Sequence, residues 1–105
     1  MTDVVLVLST VPDDASVEAL ARTLVVEKLA ACVNVLAPMV SIYRWKGAVE
    51  QSAERQLVIK TTRDMVPALG KRLKELHSYE LPELIVISVD GGANNYLEWV
   101  QTSVA

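Results

Sequence analysis

Hydrophobic positions divide this chain into segments of two kinds, those that are apolar at nearly every residue and those that are apolar at helical spacing. Val4 to Leu8 is apolar throughout, so a strand over Asp3–Thr10 should be covered on both of its faces. Val11-Pro12-Asp13-Asp14 ends it: Pro12 sets a turn, and Asp13 or Asp14 can accept hydrogen bonds from the first free amides of a helix. That helix is expected over Ala15–Ala31, with Val17, Leu20, Ala21, Leu24, Val25 and Leu29 on one side. Leu84 to Val89 again lacks alternation and predicts a second doubly covered strand. Asp90-Gly91-Gly92 turns the chain, and Asn94 or Asn95 can begin a short final helix carrying Tyr96, Leu97, Trp99 and Val100.

Between these segments, Cys32 to Thr62 reads as one long β-hairpin turning at Gly47, with arms Val33–Lys46 and Val49–Thr62. Both arms far exceed the strand length of about 5 to 6 residues that a small sheet uses. The surplus predicts pairing or packing with something outside the chain. Tyr43 and Trp45 fall on one face of the hairpin near its tip, where large aromatics favour a docking surface. The second helix follows, with Asp64 as its cap and Pro67 in its first turn. Its inward side carries Val66, Leu69, Leu73 and Leu76, and it ends near His77-Ser78 because Pro82 holds Leu81 extended. The order strand, helix, strand, strand, helix, strand, with a helical tail, is the split βαβ pattern of a ferredoxin-like α+β sandwich in a single domain spanning residues 1–105.

Composition sharpens this reading. Hydrophobic residues make up 51% of the 105, and mean hydropathy is +0.30, which is high for a small soluble monomer with little interior relative to surface. Two helices cover only one face of a four-stranded sheet, so sibling chains are expected to cover the other. No apolar run approaches the roughly 20 residues of a spanning helix, and no charged, apolar leader opens the chain; a cytoplasmic protein without membrane insertion is expected. A net charge of -3 and a pI near 5.0 argue against nucleic acid, which selects basic stripes. Lys71, Arg72 and Lys74 form the one basic cluster, expected to be a solvated helix face.

Candidate chemistry is sparse. The chain has one His and no serine-hydrolase elbow, phosphate loop or His-Glu-x-x-His, so a non-enzyme is expected. Cys32 stands alone and reads as a small buried hydrophobe. Glu50 and Glu54, at even spacing on the hairpin, share a face and read as solvated edge charges. Tyr79 reads as a packed aromatic or as the lining of a cleft between subunits. His77, at a helix end, is either a metal ligand or a cap on the last helical carbonyls.

Leu29-Ala30-Ala31-Cys32-Val33-Asn34, Ser41-Ile42-Tyr43-Arg44-Trp45-Lys46-Gly47 with Val49-Glu50, Lys60-Thr61-Thr62, His77-Ser78-Tyr79-Glu80-Leu81-Pro82-Glu83 and Asn95-Tyr96-Leu97-Glu98-Trp99 resemble, in order, the signatures of the CutA divalent-cation tolerance proteins. The resemblance implies a ferredoxin-like fold and a homotrimer joined through the long hairpin, with Tyr43 and Trp45 as interface residues. It also implies a role in tolerance of copper and other divalent ions, with no organic cofactor. Members with proposed copper ligands have a Cys at the end of the first strand and His residues before the Pro-Tyr or Ser-Tyr step. Here those positions carry Ser9 and Leu76, leaving His77 as the one candidate metal ligand, suited to weak binding of copper or another divalent cation. Two other readings stay open: a small-ligand sensor with clefts between subunits, as in the similarly folded nitrogen-regulatory trimers, and an assembly scaffold without a ligand.

Overall fold

A computed structural model describes residues 2–105. The chain runs through β1 (Val4–Pro12), α1 (Ser16–Val26), β2 (Cys32–Val35), β3 (Met39–Trp45), β4 (Ala48–Thr62), a 3-10 turn (Arg63–Met65), α2 (Val66–Leu76), β5 (Ile85–Ser88) and α3 (Asn94–Ser103). All strand pairs are antiparallel, in the order β2-β4-β1-β5, with β3 also on β4. Taking β2 and β3 as two pieces of one arm, this is the expected ferredoxin-like α+β topology, with a long hairpin and a short C-terminal helix.

The hairpin arms are unequal. β4 is continuous over 15 residues, but the opposite arm breaks at Leu36-Ala37-Pro38. Val35 pairs with Leu57 and Met39 with Glu54, so three residues on one strand face two on the other. This is a bulge, placed where Pro38 has no N–H to give the ladder. Leu36 repairs part of the gap, its amide donating to Gln56 O at 3.0 Å and its carbonyl accepting from Arg55 Nε at 2.7 Å. At the tip, Lys46 (φ 49°) and Gly47 (φ 82°) are both left-handed, as a two-residue loop matched to strand twist requires. Residues Ala48 to Ala53 of β4 pair with β3 alone, and the molecule is correspondingly elongated, 44 × 26 × 24 Å.

α1 ends at Val26, five residues before the expected Ala31. The Leu29 amide donates to Leu24 O and the Lys28 amide to Val25 O, each at 3.0 Å, and Lys28 takes φ 60°. This is a Schellman turn with Lys where glycine is usual. At the other end, Asp14 makes the expected cap: its Oδ1 accepts from the Ser16 amide at 2.8 Å and the Ser16 hydroxyl at 2.5 Å, bonds that lower its pKa. Asp64 does not cap α2. Its Oδ1 accepts from the Thr62 hydroxyl at 2.6 Å, and the 3-10 turn leads into the helix, with Pro67 in its first turn as expected.

The core lies between the helices and one sheet face, where Val5, Val7, Val11, Leu57 and Ile59 meet Val17, Leu20, Leu24, Leu69 and Leu73. Arg72 locks α2 to α1 through two 2.9 Å bonds to the Glu27 carboxylate, so this member of the basic cluster is not simply solvated; the arginine holds Glu27 below the usual carboxylate pKa. α3 covers one end of the opposite face with Val100 and Val104 over Val4 and Ala31. The rest of that face is thinly covered. Leu6 pairs with Ile87 and Leu8 with Ile85, and the two isoleucines are 41% and 50% exposed. The double coverage expected for Leu84–Val89 is therefore absent within one chain: β5 is a short edge strand with every residue exposed. Cys32 is free and half-buried rather than buried.

Candidate functional site

β5 reaches only as far as Leu8 on β1, so Thr10 leaves a carbonyl without a strand partner on that edge. The segment after α2 takes its place. His77 Nε2 lies 2.7 Å from Thr10 O, and His77 Nδ1 lies 3.1 Å from the Tyr79 amide nitrogen. A carbonyl accepts and an amide donates, so this geometry sets the neutral tautomer with the proton on Nε2 and the Nδ1 lone pair engaged. The ring is buried, and neither nitrogen is free. It does not cap the helix; the backbone amide of His77 does, donating to Leu73 O at 2.8 Å. Among the described residues, no cluster of three or more His, Cys, Asp or Glu is close enough to hold a metal ion. Ser9, near the end of β1, is fully buried with its hydroxyl unpartnered.

By pinning Tyr79, His77 shapes a pocket of about 500 Å³ between the outer part of the hairpin and the loop Ser78–Glu83. Tyr43 and Trp45 wall it on one side, as their shared face on β3 predicts, and Tyr79 stands on the other. Tyr43 is 40% exposed, and its hydroxyl lies 2.8 Å from Ser52 Oγ. Lys46 Nζ sits 5.6 Å from the Trp45 ring centroid and 3.4 Å from Glu80 at the mouth.

Three carboxylates line the pocket, in unlike settings. Glu80 is at the exposed rim with Lys46. Glu83 accepts from Gln56 Nε2 at 3.0 Å, and that same nitrogen donates to Ser9 O at 2.7 Å. Glu54, expected as a solvated edge charge, is instead 5% exposed; only Glu50 stays in solvent. The Glu54 Oε2 accepts the Tyr79 hydroxyl at 2.6 Å. Burial first, and then the bond to Glu54, hold the Tyr79 proton well above the usual phenol range. No Lys, Arg or His of the described residues forms an ion pair with Glu54. Nothing in the local sequence marks Glu54 as buried, because its cover comes from a loop 25 residues further along the chain.

Comparison with known proteins places this geometry in a family. Residues 5–103 match the family model of the CutA1 divalent ion tolerance protein. The divalent-cation tolerance protein CutA of Pectobacterium atrosepticum is 42% identical over 104 residues, covering 99% of this chain and 94% of its own length. The crystal structure of CutA from Xylella fastidiosa superposes with a TM-score of 0.95 at 47% identity, covering 99% of this chain and 100% of that one. The divalent cation tolerance protein of Thermus thermophilus superposes at 0.93 with 39% identity, covering 97% and 99%. Relatives named for a compartment include a chloroplastic protein of Arabidopsis thaliana, 38% identical over 94% of this chain and 54% of its own length. In the chain itself, no described helix is long and apolar enough to cross a membrane. The match is continuous and nearly end to end, and the protein belongs to the CutA1 divalent ion tolerance family.

Proposed function

We propose that this protein is a non-catalytic, cytoplasmic homotrimer that contributes to divalent-cation tolerance by weak, reversible binding of copper or another divalent ion, without an organic cofactor. The observation that carries the reading is the family match over residues 5–103. Two features of the chain support self-association. Ile85, Ile87, Leu6 and Leu8 leave an apolar sheet face partly open, and the projecting hairpin exposes Val40, Ile42 and Val49 behind Tyr43 and Trp45. Sibling subunits docked there would bury both surfaces, with Tyr43 and Trp45 anchoring the contact by the ring edges that stand outside their pocket with Tyr79.

His77 is the one imidazole available to an ion, and both its ring nitrogens already hold hydrogen bonds. Ligation must first displace the Tyr79 amide from Nδ1, which makes the affinity low. Calorimetric titration of copper into the wild type and His77→Ala tests this. Saturable binding that disappears in the variant is the expected result. Equal copper binding in both removes His77 from the site, and no binding in either removes direct ion capture from the function.

A further inference from the structure

Burying a carboxylate is unfavourable unless a positive charge or several donors compensate it, and Glu54 has one neutral donor, the Tyr79 hydroxyl, with no cationic partner among the described residues. Its place in the fold shows where the missing charge belongs. Glu54 lies in the wall of the pocket that Tyr43, Trp45 and Tyr79 line, so one buried carboxylate and three aromatic rings face one concave space. Aromatic faces attract cations through the ring quadrupole and prefer weakly hydrated ones, which give up water at little cost. The rim already displays this chemistry, since the ammonium of Lys46 sits by the Trp45 ring and bonds Glu80. A small divalent ion suits the pocket less well: it requires several oxygens converging at bonding distance, and Glu80 and Glu83 are engaged elsewhere.

We propose that this pocket is a binding site for a small organic cation, a guanidinium or substituted ammonium compound, held by Glu54 and stacked among Tyr43, Trp45 and Tyr79. The site is separate in chemistry from ion capture at His77. The volume of about 500 Å³ lies within the range of small-molecule sites and exceeds what a bare ion needs. A guanidinium donates in its plane to Glu54 while its face lies on a ring. Tyr79 keeps its proton at any physiological pH, donates it to Glu54, and so adds a π face without a second negative charge.

The test is titration of the intact oligomer with methylguanidinium, tetramethylammonium and the neutral isostere methylurea at matched ionic strength. It is followed by calorimetry and by Trp45 fluorescence in a Trp99→Phe background. The cations are expected to saturate at one per chain and to change the Trp45 signal, whereas methylurea does not. Glu54→Gln, which keeps shape and hydrogen bonding but not charge, should raise Kd at least about tenfold with assembly unchanged by sedimentation. Tyr79→Phe should weaken binding less. Methylurea binding as well as methylguanidinium overturns the proposal, as does an unchanged Kd in Glu54→Gln. It is also overturned if no cation binds; should Glu54→Gln then dissociate the oligomer, a sibling's basic side chain occupies the space. Copper titration of His77→Ala reads the other site, so either idea can fail alone.

Discussion

Removing the Tyr79 hydroxyl strands a buried carboxylate, and the size of the effect follows from the geometry. The Tyr79→Phe change keeps the ring against His77, 4.6 Å between centroids, and deletes only the 2.6 Å bond to Glu54. A hydrogen bond to a charged group contributes about 1.5–3 kcal/mol, and with Glu54 only 5% exposed little water can replace it, so a loss of about 2 kcal/mol per protomer is expected. At roughly 4 °C per kcal/mol for a domain of this size, Tm should fall by about 8 °C. Adding Glu54→Leu to Tyr79→Phe removes the stranded acceptor, so the double variant should be no less stable than Tyr79→Phe alone. Urea unfolding at fixed protomer concentration gives all the corners of the cycle. The pH dependence adds a second readout. The folded-state pKa of Tyr79 is raised, so above the ordinary phenol range, near about pH 10, the unfolded chain loses this proton while the folded chain keeps it. Its contribution is therefore complete below that pH and erodes as pH rises above it, and Tyr79→Phe should flatten the alkaline slope. Simple additivity of the two substitutions, or an unchanged alkaline slope, would refute the coupling of Tyr79 to a buried charge.

Three further expectations rest on separate features. Ser9→Ala removes a fully buried hydroxyl without a partner and should stabilise the protein by about 1 kcal/mol in urea unfolding; a loss of stability would mean the hydroxyl is satisfied in solution. Lys28→Gly relieves a side chain held at φ 60° in the Schellman turn, and a gain of about 0.5–1 kcal/mol is expected, against a loss if Lys28 packs favourably there. Trp45→Ala and Tyr43→Ala should each shift sedimentation toward smaller species more than Val26→Ser, a change at another exposed apolar position; an intact oligomer in both would remove them as anchors.

Local sequence carried the order of elements, because apolar runs and helical spacing report which faces must leave water, and neither depends on distant residues. Asp14, Pro67 and Gly47 punctuate the chain where the structure turns, whereas β1 runs two residues past the expected Thr10, with Pro12 as its last residue, paired with Glu54. The early end of α1 was hidden, since it is made by backbone bonds around a left-handed Lys28 that no glycine advertises. The break at Leu36–Pro38 depended on the register of β2 and β3 against one shared partner, which appears only when both pair with β4. The same holds for the site. Tyr43 and Trp45 share a face by alternation alone, but Glu54 became a buried carboxylate, and His77 a neutral ring spanning Thr10 and Tyr79, only when the loop after α2 folded over the open edge of β1. Burial and tautomer belong to the three-dimensional neighbourhood of a group, and that neighbourhood is assembled here from segments as many as 67 residues apart.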